Sequence, residues 1–249
     1  ATGSAAIHQA MNAINAGRAR RALVVGVEKM TDTAGPDIGG ILMKASYLKE
    51  DSEIEGGFAG VFGQIAQQYF QKYGDQSDAL ARIAAKNHKN GVSNPMAQLR
   101  KDFGYEFCRE VSDKNPIVAG PLKRTDCSLV SDGAAAVVLA DMETALTMEK
   151  AVVFRARSHV NDYLPMGRRD MSHLDGCAQA WANALSDGKL TLDDLSMVET
   201  HDCFTMAELM EYEAMGLTKV GEGARALEEG WTEKDGKLPI NPSGGLKSK

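Results

Sequence analysis

The chain has 249 residues, of which 43% are hydrophobic and 25% are charged, a balance typical of a globular protein with a sizeable core. This composition excludes a disordered chain and a small disulfide-stapled domain. The net charge is −6, so the chain lacks the excess of basic residues that is typical of proteins that bind nucleic acid or an anionic membrane surface. The sequence contains no apolar run near the roughly 20 residues that span a bilayer.

The first elements predicted are a helix and a strand. Within residues 3–16, Ala6, Ala10, Ala13 and Ile14 recur at helical spacing, and Gly17 can end the helix in a left-handed conformation. Residues 22–27 form a continuous apolar run of strand length, typical of a buried strand in an α/β layer.

Residues 31–128 have the character of an insertion. Residues 31–56 are rich in glycine and polar residues, which predicts a surface segment. Helices are predicted over residues 58–73 and 78–90, the second ended by Gly91, and prolines interrupt the chain beyond them. The chain then returns through an Asp132-Gly133 turn to a second buried strand over residues 134–140.

Strands and helices alternate again in the remainder, which predicts an α/β class. The predicted helices cover residues 142–150, 174–185 and 205–215, and the predicted strands cover residues 152–160 and 196–200. Gly216 ends the third of these helices, and residues 239–249 are predicted to form a loop.

The cysteines and the first residues of the chain give information about the cellular compartment of the protein. The four cysteines are widely spaced without a CxxC pair, which favours reduced thiols. The first four residues carry neither a basic start nor a signal-peptide core. We therefore expect a cytoplasmic protein, with an organelle as the alternative. The cysteines are Cys108, Cys127, Cys177 and Cys203.

His201 is the candidate functional residue with the best position. It follows a predicted strand and precedes a predicted helix, where open α/β sheets bind ligands. A structural histidine is the alternative interpretation. Asp202 and Cys203 follow it directly, but neighbours on an extended segment point to opposite sides, so we expect no metal site. We interpret the other histidines as structural: His8, His88, His159 and His173.

Four segments, in order, carry a family resemblance: residues 1–7 (ATGSAAI) with 26–30 (GVEKM), residues 131–136 (SDGAAA), residues 201–204 (HDCF) and residues 241–246 (NPSGGL). Together they resemble the thiolase superfamily, specifically thiolases of the sterol-carrier-protein type. The resemblance implies a thiolase-like α/β fold of two similar halves with layered helices and sheets. The first half would span residues 1–150, with an inserted loop subdomain over residues 31–128, and the second would span residues 151–249.

The resemblance also implies a reaction. Thiolases are acyl-CoA C-acyltransferases that make or cleave 3-ketoacyl-CoA through a cysteine acyl-enzyme, in lipid and fatty acid metabolism. They need no cofactor beyond the coenzyme A thioester that is their substrate, and they are usually homodimers or homotetramers. The matching histidine, His201, would donate a hydrogen bond to the thioester oxygen as enolate charge develops.

Further site residues are expected to bind the substrate. Coenzyme A is a polyanion, and Lys123 and Arg124 are candidates to hold it, with a solvated surface pair as the alternative. Ser128 matches a serine that contacts the pantetheine arm in the family. Phe204 is expected to line the acyl pocket or to pack under a helix. Gly244 and Gly245 suit close approach of the backbone to a ligand, or a tight turn.

The family's nucleophilic cysteine, its activating histidine and its second cysteine match no residue of this chain. We therefore expect a piece of a longer enzyme, inactive by itself, with a genuinely shortened relative as the alternative. Cys203 is the best substitute thiol among those present. Two other functions stay open: a thiolase-like aldolase, which tends to have tyrosine at the position of His201, and a non-catalytic binding or scaffold subunit.

Overall fold

The computed structural model describes residues 2–249, apart from the side chain of Pro36. The strands are β1 (Arg21–Glu28), β2 (Ile117–Ala119), β3 (Leu122–Lys123) and β4 (Gly133–Ala140). The helices are α1 (Thr2–Asn15), α2 (Gly35–Met43), α3 (Leu48–Asp51), α4 (Gly57–Tyr73), α5 (Ser77–Val92), α6 (Gly104–Arg109), α7 (Met142–Ala145), α8 (Asp175–Gly188), α9 (Thr205–Ala214), α10 (Gly223–Glu228) and α11 (Gly245–Ser248). In the described part of the chain, every helix is too short or too polar to cross a bilayer.

The predicted strands β1 and β4 are present, but the prediction that they are buried is wrong. They pair antiparallel, with Arg21 opposite Ala140 and Glu28 opposite Gly133. The side chains of Leu23 and Val27 are 65% and 74% exposed. The physical reason is that, among the described residues, each strand pairs only with the other, and α1 packs against β1 on one face. The opposite apolar face is therefore uncovered.

Two predicted strands of the second half do not form. Residues 152–160 form neither helix nor strand and have no partner strand in the described chain, and the Val152 side chain is 97% exposed. Residues 196–200 contribute only a single parallel bridge, between Val198 and Ile240. Alternating apolar residues satisfy the strand pattern, but a strand also needs a neighbour to accept its backbone hydrogen bonds.

The long helices lie close to their predicted positions. In α4 the predicted apolar face is buried at Ile65, Ala66 and Tyr69. Helix α9 is followed by Gly216 with a positive φ of 83°, as predicted. The predicted stop at Gly91 is wrong, because α5 continues through this glycine to Val92.

The main core is formed by α4, α5 and α9 and the segments around them. It combines residues of the predicted insertion, such as Leu80 and Leu122, with residues of the predicted second half, such as Leu209 and Ile240. The division into two halves stays a prediction. Helices α5 and α9 pack tightly against each other. The loops that follow Thr200 and Ile240 lie beside these two helices, and they contain candidate site residues.

Candidate functional site

Three segments that are distant in sequence meet beside the N-terminal end of α9: residues 123–129, 200–205 and 241–248. The backbone N–H of Ser128 donates to the carbonyl oxygen of Cys203 at 2.9 Å, and the N–H of Leu129 donates to the carbonyl oxygen of Leu246 at 3.5 Å. The N–H of Leu246 donates to Asp202 Oδ1 at 2.6 Å. The structure therefore brings together the segments that contain the predicted site residues.

His201 lies in the second of these segments, between Thr200 and Asp202, whose hydrogen bonds tie them to the third. It is exposed to solvent, and the hydrogen bonds of the described residues leave its ring nitrogens unengaged. Surrounding protein atoms, and the positive charge of Lys249, lower the pKa of its imidazole. A neutral imidazole has one N–H donor and one acceptor nitrogen. His201 can therefore donate a hydrogen bond to a ligand at neutral pH. Ala1, which begins the first resemblance segment, lies outside the described residues.

Asp202 anchors the next position of the chain. Its side chain is fully buried and accepts a hydrogen bond from Asn87 Nδ2 at 2.9 Å in addition to the one from Leu246. Burial, and then the charge of Glu208, raises the pKa of Asp202. Its carboxyl group thus joins the histidine segment to α5 and to the start of α11.

Gly244 and Gly245 make this close contact possible. Both have positive φ, 102° and 56°. A Cβ on Gly245 would lie 2.5 Å from Asp202 Oδ1, and a Cβ on Gly244 would lie 2.6 Å from the Cα of Gly91. The two glycines therefore serve a tight turn against protein atoms. Direct approach of their backbone to a ligand stays a prediction.

The two basic residues at positions 123 and 124 differ in exposure. The Lys123 ammonium is buried and forms an ion pair with Asp126 at 3.0 Å, so the expectation that it holds coenzyme A needs correction. Asp126 also accepts a hydrogen bond from the Thr205 hydroxyl at 2.8 Å. Arg124 is exposed. Of the two cations, Arg124 is the one exposed to solvent, and its binding to coenzyme A stays a prediction.

Ser128 and Phe204 lie on two neighbouring segments that pair through an antiparallel bridge between Cys127 and Phe204, and their substrate roles stay predictions. Ser128 is half-buried. Phe204 is 6% exposed and stacks on Phe62, with ring centroids 4.4 Å apart, and its ring centroid lies 6.1 Å from that of Phe58. The packing interpretation of Phe204 therefore has direct support.

The two thiols beside the site are poor nucleophiles. Burial raises the pKa of Cys127 to about 11 and that of Cys203 to about 12. The thiolate is the reactive form of cysteine, and at neutral pH both groups are thiols. The structure therefore disfavours Cys203 as a substitute for the family's nucleophile. Among the described residues, no His, Cys, Asp or Glu side chains are grouped to hold a metal ion.

The sequence analysis did not identify the buried polar residues that are hydrogen-bonded to the segments of the site. Lys86, Asn87, Glu208 and Asn241 are at most 2% exposed, and all of them lie in one hydrogen-bonded cluster. A signal was present, because Lys86 and Asn87 follow Ile83 and Ala84 by one helical turn and so share the apolar face of α5. Lys247 was also missed. It is fully buried, and its ammonium donates to the carbonyl oxygen of Asp126 at 2.5 Å.

Comparison with protein families assigns both ends of the chain to one family. Residues 1–106 match the family model for the N-terminal domain of thiolase, and residues 158–249 match the model described as thiolase C-terminal domain-like. The chain belongs to the thiolase family. The expected resemblance is confirmed.

Similar curated proteins include acyltransferases and sterol carrier proteins. The chain is 35% identical over 252 residues to an acetyl-CoA acetyltransferase of Methanothermobacter thermautotrophicus, an alignment covering 100% of this chain and 64% of that protein. It is 32% identical to human sterol carrier protein 2, covering 100% of this chain and 47% of that protein. The chain thus spans 64% and 47% of the length of these two relatives.

Solved structures confirm the predicted thiolase-like α/β fold. The Ltp2-ChsH2(DUF35) aldolase matches with a TM-score of 0.82 and 21% identity, covering 99% of this chain and 65% of that chain. The dimeric peroxisomal thiolase of Saccharomyces cerevisiae matches with a TM-score of 0.64 and 19% identity, covering 99% of this chain and 62% of that chain. At such identities the likeness concerns the fold alone.

Proposed function

We propose that this chain is the greater part of an acyl-CoA C-acyltransferase that makes or cleaves 3-ketoacyl-CoA through a cysteine acyl-enzyme. The observation that carries the proposal is the meeting of the 201–204 and 241–246 segments, with an exposed, unengaged imidazole between two anchored neighbours. Membership of the thiolase family and 35% identity to an acetyl-CoA acetyltransferase support it.

In this proposal His201 stabilises negative charge. As an enolate forms from an acyl thioester, charge develops on the thioester oxygen, and a fixed N–H donor lowers the energy of that state. The lowered pKa of His201 keeps the ring neutral, so the interaction is a hydrogen bond to oxygen. The nucleophilic cysteine and its base match no residue of the 249, so we expect these residues alone to be inactive.

The substrate side of the proposal concerns coenzyme A. Its phosphates require a local cation on a protein whose net charge is −6, and the exposed Arg124 is that candidate. The backbone N–H of Ser128 donates to the carbonyl oxygen of Cys203 in the histidine segment, and its side chain would contact the pantetheine arm. A role in lipid or fatty acid metabolism, a homodimer or homotetramer, and a cytoplasmic location belong to the same proposal.

The test compares two carbon–carbon cleavages in the natural full-length protein. One assay follows thiolysis of acetoacetyl-CoA by coenzyme A. The other follows retro-aldol cleavage of a β-hydroxyacyl thioester, which needs no thiol as second substrate. We expect thiolysis only, with a rate that depends on the concentration of coenzyme A.

The other outcomes separate the alternatives. Retro-aldol cleavage without thiolysis would assign the protein to the aldolases. Binding of coenzyme A without either reaction would make it a binding or scaffold subunit. Turnover by the 249 residues alone would show that a residue within them serves as the nucleophile.

A further inference from the structure

A buried polar cluster joins α5 to α9 and is hydrogen-bonded to both chain neighbours of His201, Thr200 and Asp202. The Lys86 ammonium donates to Glu208 Oε1 at 2.6 Å and to the carbonyl oxygen of Ile240 at 3.0 Å. The Tyr212 hydroxyl donates to the same carboxylate oxygen at 2.5 Å. The side chains of Lys86 and Glu208 are fully removed from solvent. Such a pair is costly to bury, and its geometry is therefore informative.

The second carboxylate oxygen of Glu208 reaches the functional loops through two amides. Glu208 Oε2 accepts from Asn87 Nδ2 at 2.5 Å and from Asn241 Nδ2 at 2.8 Å. The same Asn87 nitrogen donates to Asp202 Oδ2 at 2.9 Å. Asn241 Oδ1 accepts the backbone N–H of Thr200 at 2.9 Å.

These contacts hold His201 on both sides. Thr200, which precedes it, is fixed through Asn241, and Asp202, which follows it, is fixed through Asn87. Both routes end on Glu208, whose charge is balanced by Lys86. Between the two held neighbours the imidazole itself stays exposed and has no hydrogen bond from the described residues. The cluster therefore controls where the ring lies without touching it.

We propose that Glu208, with Lys86, Asn87 and Tyr212, is a positioning centre that sets the orientation of His201 toward the thioester. The role in turnover rests on the proposed function, whereas the orientation of the ring does not. Misplacing a reacting group by about 1 Å can cost about 100-fold in rate, so small shifts of the held neighbours matter.

Two tyrosines provide a matched comparison for the test. Tyr212 and Tyr69 are both fully buried, and each hydroxyl donates to a glutamate of α9. Tyr212 bonds to Glu208, in the cluster, whereas Tyr69 bonds to Glu213, outside it. Tyr212→Phe and Tyr69→Phe thus each remove a buried hydrogen bond to a glutamate of α9, and Tyr212→Phe also removes the bond that its hydroxyl accepts from the Lys86 ammonium at 3.2 Å, within the cluster. Asn87→Leu is the stronger variant, since Asn87 Oδ1 has no partner and only the two Nδ2 bonds are lost.

The experiment uses the natural full-length protein and two readouts. The first is acetoacetyl-CoA thiolysis, with kcat and KM separated. The second is the rate at which diethyl pyrocarbonate modifies His201, followed by mass spectrometry, which requires no turnover. We expect kcat to fall about 100-fold in Asn87→Leu and about tenfold in Tyr212→Phe, with KM little changed. The modification rate of His201 should change in both variants and stay at the wild-type value in Tyr69→Phe.

Equal kcat and equal modification rates in Tyr212→Phe and Tyr69→Phe would overturn the proposal, as would a loss of thermal stability without a loss of kcat. Tyr212→Phe decides the matter if Asn87→Leu does not fold. Absence of thiolysis in the wild-type protein would contradict the proposed function only, and the modification rate would still decide the positioning role.

Discussion

At the residue scale, the side chains of His201 and Cys203 differ in exposure although they are two positions apart, and surrounding protein atoms favour the neutral form of both. His201 is exposed and carries a lowered pKa, whereas Cys203 is half-buried with a pKa raised to about 12. The backbone carbonyl of Cys203 is engaged by Ser128. His201 is therefore suited to bind a ligand, whereas Cys203 is suited to a packing role.

Replacement of Cys203 tests this contrast. Because its thiol stays protonated at neutral pH, Cys203→Ala should leave the kcat for thiolysis within about threefold of wild type. The measurement is steady-state thiolysis by the natural full-length protein, with circular dichroism to confirm folding. A drop of several orders of magnitude in a folded variant would instead identify Cys203 as a reacting group.

His88 gives a prediction for the dependence of stability on pH. Burial, and then the charge of Lys247, lowers its pKa to about 4 from 6.5, and its ring packs edge-on against Phe103. Between these two values the unfolded chain binds a proton at this histidine and the folded chain does not. The free energy of unfolding should therefore fall by about 1.4 kcal/mol per pH unit from pH 6.5 toward pH 4, or about 3 kcal/mol in all.

The measurement is urea unfolding from pH 7 to pH 4. The difference between wild type and His88→Gln isolates this histidine, because the titrating carboxyl groups are common to both. We expect a shallower decline in His88→Gln, while His159→Gln, which changes an exposed histidine, should follow wild type. Parallel curves for wild type and His88→Gln would contradict the assignment.

At the element scale, the tight turn that leads into α11 requires glycine, because a side chain there would clash with neighbouring atoms. Gly245 has φ of 56° and lies against the Asp202 carboxylate, whereas Gly216 after α9 has φ of 83° with nothing near its absent Cβ. Gly216→Ala should cost about 1 kcal/mol from backbone strain alone. Gly245→Ala adds the clash with the carboxylate and should cost about 2–4 kcal/mol. Urea unfolding of both variants checks this, and equal losses would show that Asp202 does not constrain the turn.

The helices could be predicted because apolar residues at helical spacing define a buried face, as in α4. The burial of β1 and β4 could not be predicted correctly. A continuous apolar run shows that a strand is suited to burial, but it does not show whether another element covers the strand. The same limit explains residues 152–160, whose pattern fits a strand but whose backbone finds no partner among the described residues. Polar residues on the inner face of α5 were missed because Lys86 pairs with Glu208, which lies 122 positions away.

At the scale of the whole molecule, the candidate site is made by long-range contacts. Segments near residues 126, 202 and 245 were each singled out from sequence, and the structure joins them through Ser128, Asp202 and Leu246. The pairing of Lys123 with Asp126 could not be predicted, because a basic dipeptide does not reveal whether its charges face water or a buried carboxylate.

The single measurement that tests the central claim is the kcat of acetoacetyl-CoA thiolysis in His201→Ala, made in the natural full-length protein beside His159→Ala. A lost hydrogen bond to developing enolate charge should lower kcat about 100- to 1,000-fold, with thioester binding retained. His159→Ala should match wild type. A wild-type kcat in folded His201→Ala would contradict the role assigned to this histidine.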